Sequence, residues 1–225
     1  MDNIVANLLK NDPELRAMAA GKQMVYQEFF DTKTVLAAGL GAVGAPAPQQ
    51  WFDGQTAANA TLTNIFRAQG QMGIKEVAII TGISVTPLAI TKVIEGATAA
   101  AVNAIDIARD VDTFIKRSAI QFSLGNTQYP IYPVQSVGGN GGLSGAGSIG
   151  STVATSLEVR SFPGNGEQKV GAYLDFRAYP IIWYGSNFLS VTITGATGAL
   201  SADLPVRVGI HCRPYFRNVR QETQG

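Results

Sequence analysis

Apolar and polar residues alternate in several short segments of this chain, and this alternation constrains the fold more than any other feature. The pattern is clearest in Ile74–Val85, Phe188–Thr194 and Val206–Arg213. Successive side chains of a β-strand point to opposite faces of a sheet, so each segment is predicted to be a strand with one apolar face. Gly, Asn and Pro residues between the segments predict turns. The sequence therefore indicates an all-β fold.

Further strands are predicted at Met24–Leu36, Ser118–Leu124, Tyr129–Pro133, Thr152–Arg160 and Val170–Phe176. The prolines of Tyr129–Pro133 place that strand at a sheet edge. About eight short strands in one domain fit a jelly-roll β-sandwich best. We predict that residues 23–225 form this domain, with one inserted helix at residues 93–117, and that residues 1–22 form an N-terminal helical arm.

The predicted arm has an amphipathic helical pattern over residues 2–20, which is interrupted at Pro13 and ends at Gly21. Its apolar residues Leu8, Leu9 and Leu15 recur at helical spacing. Two helices this short are not stable in isolation, so the arm has to dock on a larger surface. That surface is either the chain's own domain or a neighbouring subunit or inner layer.

The one long helical pattern covers residues 93–117, where Ala and Ile residues fall on a single stripe. The segment Ser136–Ser151 contains seven glycines among sixteen residues and is predicted to be a loop. It lacks the Gly-Lys-Ser/Thr ending and the following helix that a phosphate-binding loop requires. No cofactor site is predicted there or elsewhere in the chain.

Charged residues make up only 15% of the chain, and 17 basic residues balance 16 acidic ones. Soluble domains usually contain about 25% charged residues. The longest charge-free stretches are Ser118–Leu157 and Ala178–Ala202, and depletion of charge is typical of the cores of protein interfaces. We expect neighbouring molecules to cover much of the surface. A secreted β-domain with a neutral, Gly/Ser/Thr-rich surface is the alternative.

Both charge-free stretches contain Gly, Pro and Asn, whereas a membrane-spanning helix needs about 20 mostly apolar residues. The segment Met1–Val5 lacks the basic start of a secretory signal. The single cysteine, Cys212, rules out an intramolecular disulfide. We therefore expect the chain to be synthesised and folded in a reducing cytoplasm.

His211 is the only histidine, so any Ser-His-Asp or Cys-His catalytic site would have to use it. Alternation places it on the outward face of its strand, opposite to Cys212, and Arg207 and Arg213 disfavour its protonation. It is predicted to be a surface or interface residue.

Asp110 is predicted on a solvated helix face, without the loop spacing of a calcium site. No catalytic residue and no metal ligand is predicted, and the chain is not expected to be an enzyme.

The C-terminal segment holds the one cluster of like charges, formed by Arg207, Arg213, Arg217 and Arg220. It is either a solvated strand and tail or a contact for an acidic partner, such as a neighbouring subunit, a membrane headgroup layer or packaged nucleic acid. Tyr215 and Phe216 in the same segment suit a subunit interface. The candidate interface residues are thus Leu8, Leu9, Leu15, Arg207, Arg213, Tyr215, Phe216, Arg217 and Arg220.

Two groups of short motifs resemble a known protein family. The first consists of Thr61-Leu62-Thr63-Asn64-Ile65, Gly70-Gln71-Met72-Gly73 and the strand Ile74–Val85. The second consists of Tyr179-Pro180-Ile181-Ile182, Phe188-Leu189-Ser190-Val191, Val206-Arg207-Val208-Gly209-Ile210 and the tail Arg213–Val219. Together they resemble the early and closing strands of jelly-roll capsid proteins of tailless icosahedral bacteriophages, many of which enclose a membrane.

The resemblance implies a structural virion protein, a coat subunit that assembles into an icosahedral shell. Its implied partners are copies of itself, other coat or vertex proteins, and an internal membrane or the packaged genome at the basic C-terminal segment.

One alternative is a receptor- or glycan-binding jelly roll with an aromatic site that uses Trp51, Trp183 or Tyr184, although such rings also pack in cores. A second alternative is a coat protein of the other large phage class, with a long spine helix. Residues 93–117 support it, and the strand-rich last third opposes it.

Overall fold

A computed structural model describes residues 2–36, 41–42, 45–46, 48–54, 62–65, 71–88, 104–137, 143–150, 157–163, 174–195, 200 and 203–217 of the protein. Within these residues the protein is all-β, with most of its strands in two antiparallel sheets and few helices. The helices are α1 (Asp2–Asn11), α2 (Pro13–Ala19), α3 (Ala104–Arg117) and α4 (Val134–Val137). The strands are β1 (Gln23–Val35), β2 (Gly41–Ala42), β3 (Ala45–Pro46), β4 (Gln49–Trp51), β5 (Val77–Pro87), β6 (Ser118–Leu124), β7 (Thr127–Pro133), β8 (Leu143–Gly150), β9 (Leu157–Pro163), β10 (Leu174–Asp175), β11 (Ile181–Tyr184), β12 (Leu189–Gly195) and β13 (Leu204–Arg217).

The strands of the two main sheets pair in a nested order. Sheet I has the order β1-β13-β5, and β10 and β11 both pair with β5 at its other edge. Sheet II has the order β4-β12-β6-β7. Pairs therefore form between β1 and β13, β4 and β12, β5 and β11, and β6 and β7. A chain that pairs in this way is one long hairpin folded over on itself, and its two ends meet in β1 and β13.

One hydrophobic cluster contains buried side chains from both sheets. The alternating residues of β12 and β13 that lie fully buried in it are Leu189, Val191, Ile193, Val206, Val208, Ile210 and Cys212. The alternation in the sequence predicted these inward faces, and the prediction is confirmed. Trp51 of β4 donates its Nε1–H to the carbonyl of Val206 on β13 at 3.1 Å, so a hydrogen bond also joins the two sheets.

Strand β5 is buried on both faces from Val77 to Val85, although the sequence predicted only one apolar face. The face turned away from the shared core carries Val77 and Ile79, which the N-terminal helices cover. Ile74 was predicted to begin this strand, but it lies before β5 and is 75% exposed. No helix among the described residues has both the length and the apolar character needed to cross a membrane.

The prediction of a glycine-rich loop at Ser136–Ser151 is wrong for residues 143–150, which form β8 and pair with β9. That pairing supplies backbone hydrogen bonds that local composition does not predict. The predicted helix is present as α3 from Ala104, and residues 93–103 lie outside the described part of the chain. Asp110 is 4% exposed and not on a solvated face as predicted, because the adjacent Val111 and nearby Phe114 bring this turn of α3 into the core.

Two further predicted strands are described only in part. Residues 152–156 and 170–173 lie outside the described residues, and the remainder of these segments contains the first part of β9 and all of β10. The predicted edge position of β7 is confirmed, because it is the end strand of sheet II.

Candidate functional site

The N-terminal helices α1 and α2 pack on the outer face of sheet I, which is turned away from the shared core. Asp12 caps α2, since its Oδ1 accepts a hydrogen bond from the backbone N–H of Leu15 at 2.9 Å. Leu15 is fully buried in a cluster with Val77, Ile79 and Phe216. The sequence left two docking surfaces open for the arm, namely the chain's own domain and a neighbouring subunit or inner layer. In the structure, the arm docks on the chain's own domain.

The predicted interface residues do not form a single surface patch. Leu15, Tyr215 and Phe216 are buried within the subunit, Leu8, Leu9 and Arg207 are half-buried, Arg213 and Arg217 are exposed, and Arg220 lies outside the described residues. Their contact with a partner stays a prediction. For the buried residues, most of the side-chain surface is already in contact with the subunit itself.

Two of the predicted basic residues lie on aromatic rings of β1. The guanidinium of Arg207 is 4.5 Å from the centroid of the Phe30 ring, and its Nε donates to Thr32 Oγ1 at 3.2 Å. The guanidinium of Arg213 is 5.7 Å from the centroid of the Tyr26 ring. Contacts of this kind contribute about 0.5–1 kcal/mol at exposed sites. The rings therefore hold the positive charges of β13 beside β1.

Glu28, His211 and Ser84 form a polar row across three strands on the outer face of sheet I. Glu28 on β1 stands directly opposite His211 on β13, and His211 Nε2 is 3.0 Å from Ser84 Oγ on β5. The Glu28 carboxylate and the Ser84 hydroxyl both lie over Gly209, where an added Cβ would approach each of them within 3.0 Å.

His211 was predicted to be a surface or interface residue, and the surface position is wrong, because its exposed fraction within the subunit is only 8%. Alternation predicted correctly which face of β13 carries His211, but it did not predict that Glu28 and Ser84 cover the imidazole. These two residues lie on neighbouring strands, and their positions depend on register. Sequence reasoning therefore missed both residues. Gly209, a residue without a side chain in an otherwise bulky strand, is the one local signal of a close approach.

Burial lowers the pKa of His211 below its usual value; the Glu28 carboxylate opposes this effect, and the Arg213 guanidinium reinforces it. The predicted direction of the Arg213 effect on this pKa is correct, but burial is the larger cause. The Ser84 hydroxyl is a hydrogen-bond partner for the imidazole, yet Ser84 is only 5% exposed. A nucleophile has to reach its substrate, so burial opposes a catalytic use of this pair.

We expect acid to destabilise the wild-type protein more than it destabilises the His211→Gln variant. The pKa of His211 in the folded protein lies below its value of about 6.5 in the unfolded chain. The contribution of the neutral imidazole to the free energy of unfolding is therefore fully present above the unfolded pKa and is lost as the pH falls through the folded pKa. The variant removes all histidine titration, because His211 is the only histidine. Urea unfolding at about pH 8 and about pH 5 measures the change in the free energy of unfolding. Equal losses in both proteins would contradict a buried neutral imidazole.

The aromatic residues of the glycan-binding alternative are engaged inside the subunit. Trp51 and Trp183 are both 0% exposed, and the Trp183 ring meets Phe29 edge-on with 5.3 Å between the centroids. Tyr184 is half-buried and donates its hydroxyl to Asp12 Oδ2 at 3.3 Å. Burial and the Asp12 carboxylate raise the pKa of Tyr184 to about 12. The two tryptophans are therefore core residues, and Tyr184 helps to hold α2.

Nowhere in the described residues do three or more His, Cys, Asp or Glu side chains come together as metal ligands would. Comparison with protein-family models, with curated proteins and with solved structures finds no match to this chain. Among the motifs that carry the resemblance, Thr61, Gly70 and residues 218–219 lie outside the described residues. Thr63 and Asn64 lie against the edge of β1.

Proposed function

We propose that the protein is a structural coat subunit that assembles into an icosahedral shell, and that its two main sheets form a jelly-roll β-sandwich. The nested pairing supports this architecture. With β10 set aside, the strands of the two sheets, numbered in chain order, fall as 1-8-3-6 and 2-7-4-5. This is the order of a long hairpin rolled into two four-stranded layers. A fold can serve many functions, so the functional argument has to come from the surface.

The observation that carries the proposal is the exposure of large apolar side chains on the end strand of each sheet. On β1, Met24 is 58% and Tyr26 is 66% exposed, and on β7 Ile131 is 65% exposed. Removing apolar surface from water is favourable by about 25 cal/mol per Å². In a chain with only 15% charged residues, such exposed side chains favour contact with further subunits.

Copies of the same chain are the main partners in this proposal, with other coat or vertex proteins beside them. The exposed Arg213 and Arg217 offer positive charge to an internal membrane or to the packaged genome. The resemblance of the sequence motifs to phage coat proteins supports placing the protein in the virion after synthesis in the host cytoplasm. The proposed role is structural and involves no reaction.

Assembly of the purified chain tests this proposal. We expect closed particles of many subunits, visible by electron microscopy and by light scattering after size-exclusion chromatography. Ile131→Lys should lower the particle yield about tenfold or more, because burial of an isoleucine side chain is worth about 1.5–3 kcal/mol. Gln128→Lys, at an exposed polar position of the same strand, is the matched control.

A protein that stays monomeric at high concentration contradicts the proposed function. If the wild-type chain assembles and both variants assemble equally well, the coat function stands and β7 is removed from the interface.

A further inference from the structure

The outer edge of β1 is capped over its second half. Phe30 N donates to Asn64 Oδ1 at 2.7 Å, and Phe30 O accepts from Asn64 N at 3.2 Å. Asn64 Nδ2 also donates to Glu28 O at 2.6 Å, and Gln49 Nε2 donates to Thr34 O at 3.1 Å. Even-numbered residues therefore point their backbone groups to this edge. Side chains that occupy such groups prevent pairing with another strand.

The first half of the same edge has no such cap among the described residues. The pairing of β1 with β13 is irregular opposite Tyr26, but the extra residue lies on β13, since Val25 pairs with Tyr215 and Gln27 with Cys212. The alternation of β1 therefore continues, and the N–H and C=O groups of Met24 and Tyr26 point in the same direction as those of Phe30. β1 is the end strand of sheet I, and no described strand lies beyond Met24 and Tyr26. Both side chains are more than half exposed. Residues 24–26, the β1 strip, are thus a short length of edge to which no described residue forms a cap or a paired strand.

We infer that the β1 strip pairs with the β1 strip of a second copy of this chain, antiparallel about a twofold axis at Val25. In this register Met24 of each copy stands opposite Tyr26 of the other, and each such pair exchanges both of its N–H···O bonds. The contact is isologous and closes on itself. It deepens the proposed function, on which it rests, by naming one contact between subunits.

Side chains complement one another in this register. The exposed Met24 and Tyr26 meet across the two strands on one sheet face, where directly opposite side chains are in contact. Lys22 directly precedes β1, and in this register it lies on the side of Glu28 of the other copy, so opposite charges face each other at both ends of the strip. Neither charge would find this partner if the strands were shifted.

Asn64 fixes where the pairing ends. A register moved two residues toward the C-terminus, with the twofold axis at Tyr26, would need the carbonyl of Glu28 to accept from the second copy, but Asn64 Nδ2 already occupies it. The pairing is therefore confined to the β1 strip. A contact this short does not hold two subunits together alone, and it fits an assembly in which each subunit has several neighbours.

Cysteine substitutions test this register. Opposite residues of a hydrogen-bonded pair have Cα atoms about 5.5 Å apart, within the range of a disulfide. Met24 of one copy and Met24 of the other are diagonal neighbours at about 7–8 Å, at or beyond that range. We expect co-expressed Met24→Cys and Tyr26→Cys chains, once oxidised, to give about tenfold more disulfide-linked dimer than either variant alone. The native Cys212 is fully buried and does not compete.

If the mixture gives no more disulfide-linked dimer than the single variants, the inferred contact is overturned. If particles still form in that case, the proposed function stands. Crosslinked dimers without particles support the contact and contradict the proposed function. A charge exchange gives an independent check. Added to the co-expressed cysteine variants, Lys22→Glu and Glu28→Lys should each lower the yield of disulfide-linked dimer, and the two substitutions together should restore it. A combined variant no better than either single one also overturns the contact.

Discussion

Replacing Trp51 with alanine is expected to lower the free energy of unfolding by about 3–5 kcal/mol. The side chain is fully buried in the cluster that both sheets share, and it donates a hydrogen bond to Val206 on the opposite sheet. The variant leaves a cavity and removes this bond at once. Urea unfolding of dissociated subunits measures the loss, with the fluorescence of Trp183 as the reporter, since that residue remains in the variant.

Trp51→Phe is the matched control, because it keeps most of the ring volume and loses the Nε1–H donor. Loss of a hydrogen bond costs about 1 kcal/mol, so this variant should lie between the wild-type protein and Trp51→Ala. An alanine variant as stable as the wild-type protein would contradict the position of Trp51 in the core. It would also reopen the question of an aromatic binding site there.

Leu15→Ala is expected to release the N-terminal helices from sheet I. Leu15 contributes a fully buried side chain to the cluster with Val77, Ile79 and Phe216. Its truncation costs about 2–5 kcal/mol, and isolated helices of this length do not persist. Amide hydrogen exchange over residues 3–19 should therefore become about thirtyfold faster or more, as a loss of about 2 kcal/mol in local stability requires.

Exchange in the centre of β13 should change much less than exchange in the helices, because the shared core is untouched. Ile4→Ala is the matched control, since Ile4 lies on α1 and is 36% exposed. Equal acceleration in both variants would mean that the helices are held by something other than the Leu15 cluster.

The core faces of the strands could be predicted from the sequence because alternation is a local property of the backbone. Leu189, Val191 and Ile193 are each fully buried, as their spacing predicted. The first helices could be placed for the same reason. Asp12 caps α2 ahead of Pro13, and Gly21 adopts the positive φ of 69° that favours a chain reversal after a helix.

Contacts between distant strands could not be predicted in this way. His211 contacts Ser84, which is 127 residues away in the sequence, and its burial depends on the register of β5 and β1 against β13. The pattern on one strand shows which face is buried, but it does not show which residues of a distant strand stand opposite. The same limit applies to Asn64, because its cap on β1 joins residues 34 and 36 positions apart.

Composition also failed to predict a strand where pairing with a distant segment stabilises it against its local preference. Residues 143–150 are rich in glycine, which disfavours strands, yet they pair with β9. Trp51 and Trp183 illustrate a related limit, because a tryptophan in a sequence is equally compatible with a core position and with a binding site.

The pairing of β1 with β13 has a consequence for the timing of synthesis. A ribosome releases β1 long before the strand that will lie beside it exists, since nearly the whole described chain separates the two. Sheet I cannot be completed on a nascent chain, and α2 has no finished surface on which to dock until translation reaches β13. An incomplete polypeptide can therefore form local pairs such as that of β6 with β7, but it cannot form the complete sheet I.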